Sequence, residues 1–386
     1  MSKPSVSAII PCLNEEQTLG ICIAKIRQTF EDLGIDGEIV VGDNGSTDRS
    51  VEIAESMGAV VAHQPVKGYG SAIMAAVNSA RSDRFIMADA DDSYDWTNLK
   101  PFIDELDKGH DLVIGNRFRG VIHEGAMPFL HRYLGNPVLS RIPKLLYKIK
   151  VGDFHCGMRG FTREAWERMR LSCPGMEFAT EMVIRASQED MSISEIAIDL
   201  FPDKRDRAPH LRTFRDGWRH LRFIMMYAPN YLYLLPAFLL LLFGGGLQVL
   251  LFNGPVTLFG QYIGIHFLAL GMMLFFLGMS IASMGIAARF YLVNSEMIKK
   301  DRFADWVNRF LSLDRIILIG ALLFLTGMIV DVSLLFEWLN TTAPMTGSIH
   351  HVFIASGLIV TGVQLIFFAF FLELFRGRIL SEKIRK

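Results

Sequence analysis

Phe85-Ile86-Met87-Ala88-Asp89-Ala90-Asp91-Asp92 is the stretch on which the fold turns: four apolar residues that stop abruptly in carboxylates. So short and so apolar a run suits a buried strand, and the acids behind it suit the carboxyl edge of a sheet. Residues 6–10, 38–41, 59–62 and 112–114 repeat the strand pattern on either side. Between them, 16–33, 46–57, 71–80 and 98–107 have helical spacing. This alternation predicts a mainly parallel sheet with helices on both faces. Ligands of such sheets bind beyond the carboxyl ends of the strands, so the polar residues just after each strand carry the chemistry.

The first strand runs into Pro11-Cys12-Leu13-Asn14-Glu15, the second into Asp43-Asn44-Gly45-Ser46-Thr47-Asp48, and the fourth into Asp89-Ala90-Asp91-Asp92. Taken singly, Asn14 suits a helix cap and residues 43–48 suit a turn. Three acidic strand ends on one edge point to a ligand instead. Asp89 and Asp91 could share a hard divalent cation, Mg²⁺ or Mn²⁺, that also holds a diphosphate, as a nucleotide-sugar site requires; turn capping is the alternative. Lys67-Gly68-Tyr69-Gly70-Ser71 opens a helix, where backbone amides and Lys67 could meet phosphate. Ile73 stands where a dinucleotide fingerprint has its third glycine, which argues against an NAD enzyme.

Over 386 residues the chain is 51% hydrophobic with a formal net charge of -1, and its mean hydropathy is +0.30. That charge offers no general field for nucleic acid. The apolar excess is concentrated: residues 231–288 and 316–375 contain neither Lys nor Arg. Four stretches, 231–252, 263–288, 316–336 and 352–375, are long enough to cross a bilayer. Basic residues gather at 289–315 and in the tail after Phe375, so both termini and the 289–315 loop are expected in the cytoplasm. Residues 214–227 mix Trp218, Leu221, Phe223 and Met226 with Arg215, Arg219 and Arg222, as a helix at the headgroups would, and 300–310 repeats the idea. The polar N-terminus predicts no cleavable signal. Cys12, Cys22, Cys156 and Cys173 form no metal or disulfide pattern.

With these residues in order, the sequence resembles the inverting GT-A glycosyltransferases of family 2, in the polyprenyl-phosphate branch that includes dolichol-phosphate mannose and glucose synthases. The resemblance rests on residues 11–15, 43–48, 67–72, the Asp89/Asp91 pair, Gly115-Asn116-Arg117-Phe118, 153–160, 178–181 and the basic segment 204–222. It implies a Rossmann-like GT-A α/β domain at 1–213, an interfacial helix at 214–229 and an all-α transmembrane domain of four helices at 230–386. It also implies that Pro11, Leu13, Glu15 and Asp43 hold the base and ribose, with Lys67 near the nucleotide. Asp89 and Asp91 would hold Mg²⁺ or Mn²⁺, Arg117 would orient the acceptor phosphate, and Lys204, Arg205, Arg207 and Arg212 would form a phosphate-binding flap. Asp92 follows the pair where relatives commonly have Leu, and either joins the metal shell or faces solvent. Glu181 either acts in the acceptor pocket or pairs with Arg185 one turn on.

The implied reaction moves a hexose from a nucleotide diphosphate sugar, UDP-glucose or UDP-N-acetylglucosamine ahead of GDP-mannose, to a polyprenyl phosphate. Membrane lipids are partners by this reading, and a homo-oligomer is compatible with it. Two alternatives stand beside it: a processive polysaccharide synthase, for which the sequence lacks a Q-x-x-R-W motif, and a non-enzymatic nucleotide-sugar sensor on a transporter or flippase.

Overall fold

The computed structural model describes residues 3–129, 131–147, 149–204, 213–295, 297–298, 309, 312–340 and 349–385. It forms two compact units, Met1–Ile224 and Met225–Lys386. In the first, β1 (Val6–Cys12), β2 (Gly37–Asp43), β3 (Val60–His63), β4 (Arg84–Met87), β5 (Leu112–Asn116), β6 (Arg159–Thr162) and β7 (Ile193–Ala197) make one sheet. Its order is β3-β2-β1-β4-β6-β5-β7. Only β6 runs antiparallel, against both β4 and β5. Helices α1 (Leu19–Asp32), α2 (Ser50–Ser56), α3 (Tyr69–Ser79) and α4 (Lys100–Asp107) fill the first crossovers. After them come α5 (Asn136–Tyr147), α6 (Arg163–Met169), α7 (Phe178–Gln188) and α8 (Thr213–Met226).

The β1 strand is buried along its whole length because it lies between β2 and β4 with helices on its faces. A proline in so central a strand would ordinarily break a ladder. Ile9 O accepts from Ala88 N on the β4 side, and two residues on Pro11 faces the same way, past the last β1–β4 pair at Ile9 and Met87. Its missing N–H therefore falls where the β1–β4 ladder ends. The five expected strands and four expected helices are all present with ends moved by a few residues. β6 and β7 extend the sheet beyond expectation.

In the second unit, α9 (Leu235–Leu250), α10 (Ile265–Asn294), α11 (Leu313–Asn340) and α12 (Ile349–Arg385) contain the four expected apolar spans. Glycines set their packing. A Cβ on Gly271 would strike Leu247, one on Gly278 Leu241, and one on Gly285 Tyr233, so α10 meets the antiparallel α9 and the turn just before it every seven residues. Gly320 and Gly327 of α11 likewise face Gly362 and Ala355 of α12. Seven-residue spacing keeps one stripe facing the partner when two helices cross at a shallow left-handed angle. The connection between the first two spans folds as a hairpin, β8 (Val256–Leu258) with β9 (Gln261–Ile263), which turns on Phe259 and Gly260, both at positive φ. Of the expected interfacial segment 300–310, only Arg309 falls within the described residues.

Candidate active site

The loops after β1 and β2 are stitched together. Asn14, at φ 57°, accepts from Thr47 N at 2.7 Å, and Ser46 Oγ accepts from Asn14 N at 3.0 Å. Ser50 Oγ accepts from the amide of buried Glu15 at 2.7 Å. Asp43 accepts from Ser46 N at 3.0 Å and Gly45 N at 3.2 Å, and contacts His63 Nδ1 at 3.2 Å. Burial raises its pKa, but the hydrogen bonds from Ser46, His63 and Gly45 outweigh burial and hold the carboxyl below its usual range. Asn44 ties this loop to the next, with its amide on Gln64 O and Val66 O and its oxygen on Gly68 N at 2.6 Å.

Lys67 is exposed, with its ammonium on Asn44 O at 2.7 Å. Two of the amides expected to cradle phosphate at the start of α3 are already engaged. Gly68 N donates to Asn44 and Ser71 N to Pro174 O, so the fold itself uses these donors.

Beyond β4, Asp91 is buried and its Oδ1 accepts from Ser93 N at 3.0 Å and Ser93 Oγ at 2.5 Å. Asp89 Oδ2 lies so near Gly157 that a Cβ there would sit 2.9 Å from it. Glycine at 157 lets the 153–159 loop close against this carboxylate without displacing it. Asp92 does not face solvent: its side chain, 1% exposed, lies between Lys25 at 2.6 Å and Lys204 at 2.7 Å. Lys204 N also donates to Asp91 O at 3.4 Å. One residue of the basic segment is thus placed beside the acidic pair; Arg205, Arg207 and Arg212 lie outside the described residues.

Arg117, at the end of β5, grips Asp153 with Nε to Oδ2 at 2.7 Å and Nη2 to Oδ1 at 2.8 Å. Burial opposes both charges. For Arg117, the Asp153 carboxylate and the nearby Tyr94 outweigh it and hold the guanidinium pKa well above its usual value. In turn, Arg117 holds the Asp153 carboxyl low. The fork assigned to an acceptor phosphate is therefore already engaged on one edge. Arg159, fully buried, donates to Cys156 O, Ala179 O and Phe154 O and pins the same loop from behind. Glu181 does not reach the rim. It is fully buried, its two oxygens accept from Ser172 N, Ser172 Oγ and Cys173 N at 2.8 to 3.2 Å, and it anchors the 172–173 loop.

The profile of glycosyl transferase family 2 matches residues 7–170, and that of the glycosyltransferase family 2 C-terminal transmembrane region matches 286–376. The low-salt glycan biosynthesis hexosyltransferase Agl6 of Haloferax volcanii is 37% identical over 372 residues, 96% of this chain and 88% of that protein. The chain belongs to glycosyltransferase family 2. A dolichyl-phosphate hexose transferase of the same organism is 34% identical over 195 residues, 50% of this chain and 81% of its own. Among solved structures, glucosyl-3-phosphoglycerate synthase from Mycobacterium tuberculosis, in complex with Mn²⁺, uridine diphosphate and glucosyl-3-phosphoglycerate, is 21% identical. It covers 58% of this chain and 78% of that one at a TM-score of 0.44.

This family 2 glycosyltransferase is an integral membrane enzyme with a soluble catalytic domain. Its rim fits a hard cation. The donors on offer are carboxylates, and no cluster of three or more His, Cys, Asp or Glu exists among the described residues. Two carboxylates with the remaining positions left to phosphate oxygens and water is how Mg²⁺ is usually held. The Cys22 thiol donates to Ala90 O, and burial and the charge of Asp92 push its pKa up to about 12. Segments 43–48 and 153–160 carry the resemblance, but no role for Asn44, Asp153 or Arg159 can be read from the sequence alone. Asp153 meets Arg117 36 residues away, and Arg159 reaches Ala179 20 residues on as well as Cys156 and Phe154 close by.

Proposed function

We propose that this glycosyltransferase moves a hexose from a nucleotide diphosphate sugar to a polyprenyl phosphate at the cytoplasmic membrane face, with inversion. The observation that carries the reading is the closure of one loop on both halves of the site: Gly157 against Asp89, and Asp153 on Arg117. A carboxylate pair for a metal-bound diphosphate thereby sits with a buried arginine, and the chain runs from α8 into the first span within a few residues. The relative named as a dolichyl-phosphate hexose transferase supports the acceptor, and the basic 289–315 loop supports the cytoplasmic side.

In this reading Pro11, Leu13, Glu15 and Asp43 hold the base and ribose, with Lys67 alongside. Asp89 and Asp91 hold Mg²⁺ or Mn²⁺, which when bound neutralises the charge gathering on the leaving diphosphate. Lys204, released from Asp92, adds a second positive charge there. Arg117 offers the acceptor phosphate Nη1, since Nε and one Nη2 hydrogen stay on Asp153. A lipid phosphate, with its second pKa near 6, is largely dianionic at neutral pH and attacks without giving up a proton. The commitment of Glu181 to the 172–173 loop therefore removes no needed base. In-line attack on an α-linked donor gives a β-linked product.

The test is the purified full chain with polyprenyl phosphate, Mg²⁺ or Mn²⁺ and a panel of labelled UDP- and GDP-sugars. Label in the organic phase as a lipid carrying one sugar is expected with one donor. A polymer would favour a processive synthase. Absence of transfer from every donor would overturn the reading.

A further inference from the structure

The α8 helix has two faces of different chemistry. His220, Phe223 and Ile224 point inward, while Trp218, 62% exposed, Arg219 and Arg222 point out. Residues 217–226 contain no carboxylate. Asp216, one residue earlier, is the one acid of α8 against Arg215, Arg219 and Arg222, and an aromatic ring in so basic a helix is the composition of a surface for anionic lipid headgroups. The inward face meets the loop that closes the site. The His220 ring stands edge-on to His155, with centroids 4.8 Å apart, and His220 Nδ1 lies 3.1 Å from Thr180 Oγ1 of α7.

His155 is embedded in the 153–159 loop. Its amide donates to Asp153 Oδ1 at 3.3 Å, the same carboxylate that grips Arg117. Two residues on, Gly157 takes Tyr94 Oη as acceptor at 2.8 Å and packs on Asp89. Burial, reinforced by His220, drives the His155 pKa down to about 3, so the ring is neutral at working pH and the contact with His220 is one of packing and orientation. Continuous contacts therefore run from the outward face of α8 through His220 and His155 to both Arg117 and Asp89.

We infer that α8 binds anionic lipid headgroups through Trp218, Arg219 and Arg222, and that His220 and His155 pass its placement to the loop that positions Arg117. His220 is a positioning residue in this scheme, acting through His155 and touching no substrate. The purpose of the link rests on the lipid-phosphate reading above; its geometry does not.

The full chain is reconstituted in nanodiscs of neutral or anionic lipid, and amide hydrogen exchange is followed in peptides covering α8 and residues 153–159. Wild type should show about five-fold or greater slowing in both segments with anionic lipid, the scale of an ordinary coupling between two sites. Alanine at Trp218, Arg219 and Arg222 together should abolish both responses. His220→Ala should keep the α8 response, lose that of the loop, and leave UDP binding with Mn²⁺ unchanged. His220→Gln, which can still bond to Thr180, should recover most of the loop response and restore the KM for polyprenyl phosphate raised by the alanine variant.

A loop that responds as strongly in His220→Ala as in wild type would overturn the link, and so would a wild-type loop indifferent to lipid charge. Exchange needs no acceptor. Failure of wild type to glycosylate polyprenyl phosphate would sink the proposed reaction and leave the exchange result to stand by itself.

Discussion

In the catalytic unit, side chains fill the space between sheet and helices, whereas in the membrane unit it is missing side chains that bring the helices together. Phe85, Phe102, Phe154, Phe161 and Trp96 are all fully buried in the first. In the second, most large apolar residues face outward, and Gly271, Gly278, Gly320 and Gly327 lie against neighbouring backbones. The difference follows from the solvent. Water drives Phe and Ile inward, but lipid tails are as apolar as leucine and supply no such drive, so close backbone contact has to hold the helices. Glycine has a third use at the junction of fold and chemistry, where Gly157 makes room for a carboxylate.

The largest effect expected is Asp91→Ala. If the carboxylates beyond β4 serve the reaction, transfer should fall by about a thousandfold, roughly 4 kcal/mol of transition-state stabilisation. Melting should change far less, the loss of the bonds from Ser93 costing about 1 kcal/mol. Transfer rate and thermal melting measured on one preparation separate the two. Wild-type transfer by the variant would return Asp91 to the scaffold.

The next effect belongs to the membrane unit. A Cβ on Gly278 would lie 2.9 Å from Leu241 N and 3.1 Å from Ala237 O, main-chain atoms that cannot rotate aside, whereas one on Gly246 would meet nothing within 4 Å. Gly278→Leu should therefore destabilise the helix pair by about 2 kcal/mol, and Gly246→Leu should not. Melting in detergent checks this, with UDP binding as the control that the catalytic unit is intact. Equal behaviour of the two variants would mean that lipid-facing and helix-facing glycines are energetically alike.

What could be read in the sequence divides along the same line. The four spans were plain because a membrane imposes one-dimensional order: about 20 apolar residues without charge, then a basic loop. The strand-end acids were plain because each follows its own strand within a few residues. β6 was not, since Arg159-Gly160-Phe161-Thr162 has the composition of a loop and becomes a strand only by lying between β4 and β5. Nor was the placement of Asp92, whose lysines are 67 and 112 residues away. Glu181 shows the converse: an acid on a helix beside a recognised segment looked chemical, and its partners, the 172–173 amides, lay too close at hand to stand out.

The smallest effect expected concerns Asp43, and it asks whether the rim of the catalytic unit is prearranged. Burial alone would raise this carboxyl, yet bonds from Ser46, His63 and Gly45 hold it below the ordinary value of 3.8. A pKa lower in the folded than in the unfolded chain stabilises the fold above the unfolded value, and that contribution is lost as pH falls through the folded one. Melting of wild type and Asp43→Asn should therefore differ by a constant amount above about pH 5 and converge in acid as the wild-type carboxyl takes up its proton. The asparagine keeps the shape and one acceptor oxygen, so the difference reports the charge. A gap that persists unchanged below pH 3.8 would mean that the loops after β1 and β2 are held by packing. A gap that closes would mean that the ionised carboxylate itself orders the turn before any nucleotide arrives.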